Sequence, residues 1–370
     1  MDVTPLRLRS QQLVDPTART AHDLVRHFGA LQGQEYGPTK WGIGLRLPHL
    51  QDADIEMQLN EGRILRTHLL RPTWHLVTDE DIRWLLRLTA PRVHQLNGYM
   101  YRSTGLDAAE FSRYNRLIVN AISGGMHLTR EELGSVFLRN GAQADGIRLG
   151  LIMMQAELEG IVCSGRRQGT SHTYALLDER VKSAPPKTRD EALAALTRRY
   201  FQSRGPATVK DFAGWSSLTI ADCRRGVEML RPTLTDDHAE GGQYIYFRDT
   251  CSDDAPPRLH ILPIYDEYIM GYKDRAALLR FRSSLGKPPF RFDNMIVWGG
   301  QIVGTWRRDL RRNAIDLVWD CFQTPEKSQT RLLRAAAELF GKFHRLPVSL
   351  HQFDPGSTNK LHRPGWQFSN

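Results

Sequence analysis

Cysteine is scarce in this chain of 370 residues: Cys163, Cys223, Cys251 and Cys321 are widely scattered and form no Cys-x-x-Cys pair. A zinc ribbon, an iron–sulfur cluster and a disulfide framework are therefore not expected. Uninterrupted apolar runs are short, Leu151–Met154 among them, against the roughly 18 residues a membrane helix needs. Met1 to Ser10 carries Arg7 and Arg9 with no apolar stretch behind them, so neither a span nor a signal peptide is expected and the cytoplasm is the expected compartment. Phosphate loops of Gly-x-x-x-x-Gly-Lys type, Gly-x-Ser-x-Gly elbows and His-Glu-x-x-His zinc motifs are missing as well, which removes several large enzyme classes. An aromatic RNP-like strand is also missing, which argues against an RNA-binding module.

What the chain has is positive charge and length. Its formal net charge is +9, and only nine of its 50 basic residues are lysine. Arginine's planar fork suits phosphate and base edges, although a GC-rich genome inflates arginine too; either way the balance favours an acidic partner. At roughly 100 to 200 residues per domain, two or three domains are expected, with a core large enough to need no covalent staples.

Two proline pairs, Pro185-Pro186 and Pro256-Pro257, mark linkers, and Gly286-Lys287-Pro288-Pro289 reads as an internal loop. Between them one unit recurs: capped helix, second helix, short hairpin. In the middle copy Thr129 and Glu132 form a capping-box pattern, and Ile147, Leu151, Met154 and Leu158 recur at helical spacing. Ile161–Cys163 and His172–Leu176 then read as strands around the tip Gly165-Arg166-Arg167-Gln168-Gly169. That is the order of a winged helix. In the next copy Thr208 with Asp211, and Thr219 with Asp222, cap two helices, and Gln243–Phe247 supplies a strand.

A less regular first copy places Leu24, Val25, Phe28 and Leu31 on one helix and Ile55, Leu59 and Ile64 on another, before a strand from Leu69 to Val77 interrupted by Pro72. The tail differs. Met295–Trp298 and Gln301–Trp306 flank Gly299-Gly300, a two-residue hairpin turn; Ala314–Phe322 alternates like a strand; a helix follows Pro325. The expected class is α+β: winged helices over residues 1–105, 106–183 and 184–255, then a β-rich domain over 256–370. Several such units in one basic chain suggest a monomer wrapped on duplex DNA, since a regulator ordinarily needs one per subunit and a dimer interface.

The most unusual polar cluster is Gln32-Gly33-Gln34-Glu35-Tyr36. Two amides two residues apart point to one side of an extended segment. The plainer alternative is a helix end, with Gly33 breaking the helix and the glutamines solvating its last carbonyls. Glu35 is either a working carboxylate or a surface acid paired with Lys40. Arg166 and Arg167 contact phosphates or simply solvate a hairpin tip. Trp74 and His75 read as a buried tryptophan and a satisfied histidine. Trp298 and Trp306 either present a hairpin to a groove or pack the core, and Asp266, Glu267 and Asp274 read as a solvated helix face rather than a metal site.

Leu31–Tyr36 followed by Trp41-Gly42-Ile43-Gly44-Leu45-Arg46 resembles the Gln-x-Gln region of the bacterial AlkZ-type DNA glycosylases. Leu70-Arg71-Pro72-Thr73-Trp74-His75-Leu76-Val77, Arg204–Thr208, Leu262–Tyr268 and Gly304-Thr305-Trp306-Arg307-Arg308 resemble that family's landmarks in its order, across nearly the whole chain. The resemblance implies tandem winged helices forming a C-shaped cleft and monofunctional removal of alkylated bases, with unhooking of crosslinks in some members. It makes Gln32 and Gln34 the catalytic glutamines, Arg307 and Arg308 candidate DNA contacts beside Arg166 and Arg167, and implies no cofactor or metal. Family members commonly carry a larger apolar residue at the position of Gly33, so a looser local backbone is expected here. A sister branch has an acid at the position of Gln34.

An amide is a poor general base, so such a pair would hold a water rather than ionise it. The substrate this suits is a purine made cationic by alkylation at N7 or N3, whose leaving group does much of the work. The rival reading is a non-enzymatic DNA-binding protein or regulator, in which Gln32–Tyr36 is only a helix end.

Overall fold

The computed structural model describes residues 2–239, 242–247, 257–279 and 292–354. The expected loop at 286–289 and the junction at 255–256 lie outside them.

The chain opens with α1 (Val3–Ser10), α2 (Ala21–Phe28), the two-residue strand β1 (Leu31–Gln32), α3 (Tyr36–Arg46) and α4 (Asp52–Glu61). Thr20 and Asp23 form a reciprocal capping box for α2, and Gly29 ends it with φ +74°. Leu31, expected on that helix, therefore lies on a strand. Ile64, expected on α4, opens β2 (Ile64–Leu69), because Gly62 in the left-handed region has already stopped the helix. Pro72 falls in the turn between β2 and β3 (Thr73–Thr78) rather than inside one long strand. The three strands form an antiparallel sheet in the order β1-β3-β2, with Leu31 opposite Leu76 and Gln32 opposite His75. The glutamine motif thus starts on a sheet edge.

A long helix, α5 (Ile82–Ser103), leads to α6 (Ala108–Ile122), β4 (Leu128–Thr129), α7 (Arg130–Arg139) and α8 (Gly146–Leu158). The expected Thr129–Glu132 capping box starts α7. The hairpin of β5 (Val162–Ser164) and β6 (Thr173–Leu176) follows, with β4 added to β6. After the short α9 (Leu177–Arg180) come α10 (Arg189–Arg204), α11 (Val209–Ser216) and α12 (Ile220–Met229). Thr208 and Thr219 cap the last two as expected. Here β8 (Gly242–Phe247) pairs with a strand that its own residues did not announce, β7 (Leu234–Ala239).

The last sheet has the order β13-β12-β11-β10-β9, from Leu259–Leu262 (β9), Met295–Trp298 (β10), Gln301–Leu310 (β11), Ile315–Cys321 (β12) and Val348–Gln352 (β13). Its pairs are antiparallel except β12 with β13. Gly299 and Gly300 turn the β10–β11 hairpin with φ of +54° and +82°, the positive pair that a tight primed turn requires. A one-turn helix, α13 (Glu267–Met270), follows β9, and α14 (Lys327–His344) covers the sheet.

The cores cross the expected borders. One apolar cluster joins Leu8–Leu76 of the first unit to Ile261–Phe343 of the tail. There Trp41 of α3 meets Phe340 and Phe343 of α14 at 4.9 and 5.4 Å, and a Cβ on Gly44 would stand 2.4 Å from the Phe343 ring. A second cluster ties β2 and α5 to α10, α11 and α12; a third fills the middle unit. The tail sheet is thereby fixed against the glutamine motif. Among the described residues no helix is long and apolar enough to cross a membrane.

Candidate active site

The helix before the motif ends at Phe28, so Gln32 and Gln34 do not solvate its last carbonyls, and the helix-end alternative fails on geometry. Gln32 sits on the edge strand with its outward backbone groups satisfied by side chains. Its N–H donates to Glu267 Oε1 at 2.8 Å, and its carbonyl accepts from Thr39 Oγ1 at 3.0 Å. An edge strand left bare would expose both groups.

Both amides are oriented by donors. Arg71 NH2 donates to Gln32 Oε1 at 2.6 Å, and the Trp74 N–H to Gln34 Oε1 at 3.4 Å. A guanidinium and a backbone N–H can only donate, so each amide oxygen is identified and each NH2 faces elsewhere. Gly33 is held between them: its N–H donates to Trp74 O at 2.7 Å and its carbonyl accepts from Arg66 Nε at 2.8 Å. The expected looseness is not found. A Cβ on Gly33 would approach the His75 backbone to 3.2 Å, so this sheet edge suits glycine where a larger residue would push β3 away.

Glu35 is exposed and starts α3 without capping it. Its expected partner is engaged elsewhere: Lys40 Nζ binds Asp52 at 2.8 Å and Glu56 at 2.7 Å. The Glu35 charge is instead felt by Arg66 and Arg308, both of whose guanidinium pKa values are pushed down by burial. Arg66 lies over the Trp74 ring at 4.2 Å, and the His68 ring lies 4.4 Å from the same indole. His68 Nδ1 contacts the buried Glu157 of α8, which joins the first unit to the second. Trp74 is half-buried and His75 fully buried. His75 is only half satisfied: Nδ1 bonds Thr73 O at 2.9 Å, while Nε2 has no partner. Burial, then the nearby Arg71, push its pKa well down and keep the ring neutral.

Asp266 and Glu267 are not a solvated face. Arg46 grips Asp266 with NH1 at 2.8 Å and NH2 at 2.9 Å. Arg204 donates to Glu267 Oε2 from Nε at 3.1 Å and NH2 at 2.8 Å, and Trp215 Nε1 adds a third bond at 3.2 Å. Both pairs are almost wholly buried. Arg204 also donates to Phe28 O and Ala30 O, each at 2.9 Å, so it fixes the approach to Gln32 from behind. Among the described residues the group His22, Asp79 and Glu80 could offer three ligand atoms within 4.8 Å. Arg63 and Arg26 already face its acids, at 2.7 and 3.6 Å.

The family model for AlkZ-like DNA glycosylases matches residues 25–343. The chain belongs to the AlkZ-like DNA glycosylase family. It is therefore an enzyme of the kind that hydrolyses N-glycosyl bonds in DNA, and the non-enzymatic alternative is set aside. It is 22% identical over 361 residues to an interstrand DNA cross-link repair glycosylase of Streptomyces sahachiroi, covering 93% of this chain and 97% of that protein. The solved structure of the Streptomyces sahachiroi DNA glycosylase AlkZ matches the fold with a TM-score of 0.75 at 20% identity, over 94% of this chain and 98% of that one.

The arginines singled out in the sequence differ in placement. Arg166 is exposed and lines, with His127 and Arg180, an open groove of about 650 Å³. Arg167 turns inward: it lies over the Tyr36 ring at 4.9 Å, 3.7 Å from Glu56, and donates to Thr170 O at 2.6 Å. Arg307 and Arg308 are neighbours on β11 and so take opposite faces. Arg308 is 5.8 Å from the Trp306 ring and within the field of Glu35, whereas Arg307 is 5.8 Å from the Phe353 ring. Trp306 is core and Trp298 only half-buried. Sequence reasoning missed Arg71, Arg204 and Glu267 as parts of the site. Each stood inside a landmark segment, and only the fold brings them to Gln32.

Proposed function

We propose that the protein hydrolyses the bond between deoxyribose and a purine made cationic by alkylation at N7 or N3, in duplex DNA. The observation that carries this reading is the pair of amides, Gln32 and Gln34, each fixed at its oxygen by a donor. Fixed amides can hold a water against an anomeric carbon but are too weakly basic to ionise it beforehand. A neutral base would then leave poorly. A cationic base weakens its own bond, and positioning with electrostatic support completes the step.

In this reading the capped helix pairs and hairpins are tandem winged helices, Arg166 binds a phosphate, and the sheet carrying Arg308 closes the cleft over Glu35. The exposed Glu35 stabilises positive charge developing on the sugar. The protein acts as a monomer, and its likeness to an interstrand cross-link repair glycosylase of Streptomyces extends the proposal to crosslinks through alkylated purines. Base release from duplexes carrying single lesions tests it. Release of 7-methylguanine with little or no release of uracil, hypoxanthine or 8-oxoguanine is expected. Rapid excision of uracil would overturn the leaving-group argument.

A further inference from the structure

The guanidinium of Arg71 is a cation with an incomplete set of partners. Among the described residues its side chain makes one hydrogen bond, to Gln32 Oε1, and no carboxylate comes within ion-pair distance of it. The acid whose charge reaches it, Glu267, is already engaged by Arg204 and Trp215, and the like charges of Arg204 and Arg275 add to its burden. Burial strips much of its water, yet arginine stays charged at any working pH. Among the described residues none of its nitrogens belongs to the sealed, unpartnered polar atoms, so the remaining donors are not closed off from solvent.

The backbone beneath it is held as well. Leu70 has φ +60°, a conformation costly for a residue with a branched side chain. Pro72 follows, and the Arg71 N–H and carbonyl bond Leu69 O and the Thr73 N–H, each at 2.6 Å. A rigid turn therefore aims a half-used, uncompensated fork into the space beside the catalytic amide.

We propose that Arg71 binds the backbone phosphate adjoining the target nucleotide while the same guanidinium holds the Gln32 amide, so that DNA engagement sets the position of the catalytic group. This rests on the glycosylase reading above. A phosphate is the anion that this chemistry fits, because a fork of parallel N–H donors matches its oxygens. A bare cation here would oppose positive charge forming on the sugar, whereas a phosphate-bound one is neutralised before the bond breaks.

The test uses a duplex containing a tetrahydrofuran abasic analogue, with the phosphate on its 5′ or 3′ side replaced by an uncharged methylphosphonate. Wild-type binding is expected to weaken by about tenfold or more for one of the two replacements, the size of one lost charged hydrogen bond. In Arg71→Met the same replacement is expected to change nothing further. Arg71→Lys is expected to recover part of the binding but little of the single-turnover 7-methylguanine release, since an ammonium cannot serve both partners as a planar fork does.

Wild-type binding indifferent to both replacements overturns the proposal, as does a full additional loss in Arg71→Met. Should Arg71→Met fail to fold, the wild-type comparison still decides. Binding to the analogue needs no base release, so absence of 7-methylguanine release by the wild type would count against the glycosylase reading alone.

Discussion

The backbone N–H of Gln32 donates to Glu267 Oε1 at 2.8 Å, across 235 positions of sequence. The opposite oxygen of that carboxylate takes Arg204 and Trp215. One buried acid therefore joins the edge strand carrying the glutamine to the helices behind it.

Glu267→Gln keeps the shape and removes the charge, leaving Arg204 buried without its counter-ion. Breaking one side of such a pair typically costs about 3–5 kcal/mol. A lower midpoint in urea is expected, with slower base release as the strand loses its anchor. A variant as stable and as active as wild type would show that Gln32 is held by its other contacts alone.

Acid should destabilise the fold through its histidines. Burial, then mostly neighbouring arginines, push His27, His172 and His260 down to about 4, and His75 well below its usual value. Each is neutral when folded and takes up a proton near pH 6.5 when unfolded. Between roughly pH 6.5 and 4 the unfolded chain thus binds more protons, and stability is lost as pH falls through that window. Urea midpoints at pH 7.5 and pH 4.5 check this. A midpoint at pH 4.5 equal to or above that at pH 7.5 would contradict it.

The two arginines at the β5–β6 tip should separate. Arg166→Ala is expected to reduce the log–log salt slope of duplex binding by about 0.9, one phosphate contact. Arg167→Ala should leave that slope nearly unchanged and lower the melting temperature, because its guanidinium stacks on Tyr36 and faces Glu56. A wild-type slope in Arg166→Ala would remove this tip from the DNA interface.

Local signals were legible in the chain. The Thr–Glu and Thr–Asp spacings marked the starts of α7, α11 and α12, and Gly299-Gly300 marked its hairpin, because caps and tight turns depend on residues a few positions apart. Leu31 and Ile64 misled because they continue the helical spacing of residues before them, while the stops at Gly29 and Gly62 come two positions before each. The strand Leu234–Ala239 holds two aspartates and is built by pairing with β8 rather than by its own propensity. Asp266 and Glu267 looked like solvated acids because their arginines lie 220 and 63 positions away. The glutamine pair was recognisable by resemblance. The donors that orient it were not.

Single-turnover release of 7-methylguanine from alkylated duplex DNA by Gln32→Ala and Gln34→Ala tests the central claim most directly, with duplex binding and thermal melting measured alongside. Each variant is expected to lose on the order of 10²-fold in rate, the usual cost of one polar contact to the reacting centre. Binding and melting should stay near wild type, and Gln34→Asp should retain more activity than Gln34→Ala. Wild-type release rates in both alanine variants would contradict the account and move the catalytic role to Glu35.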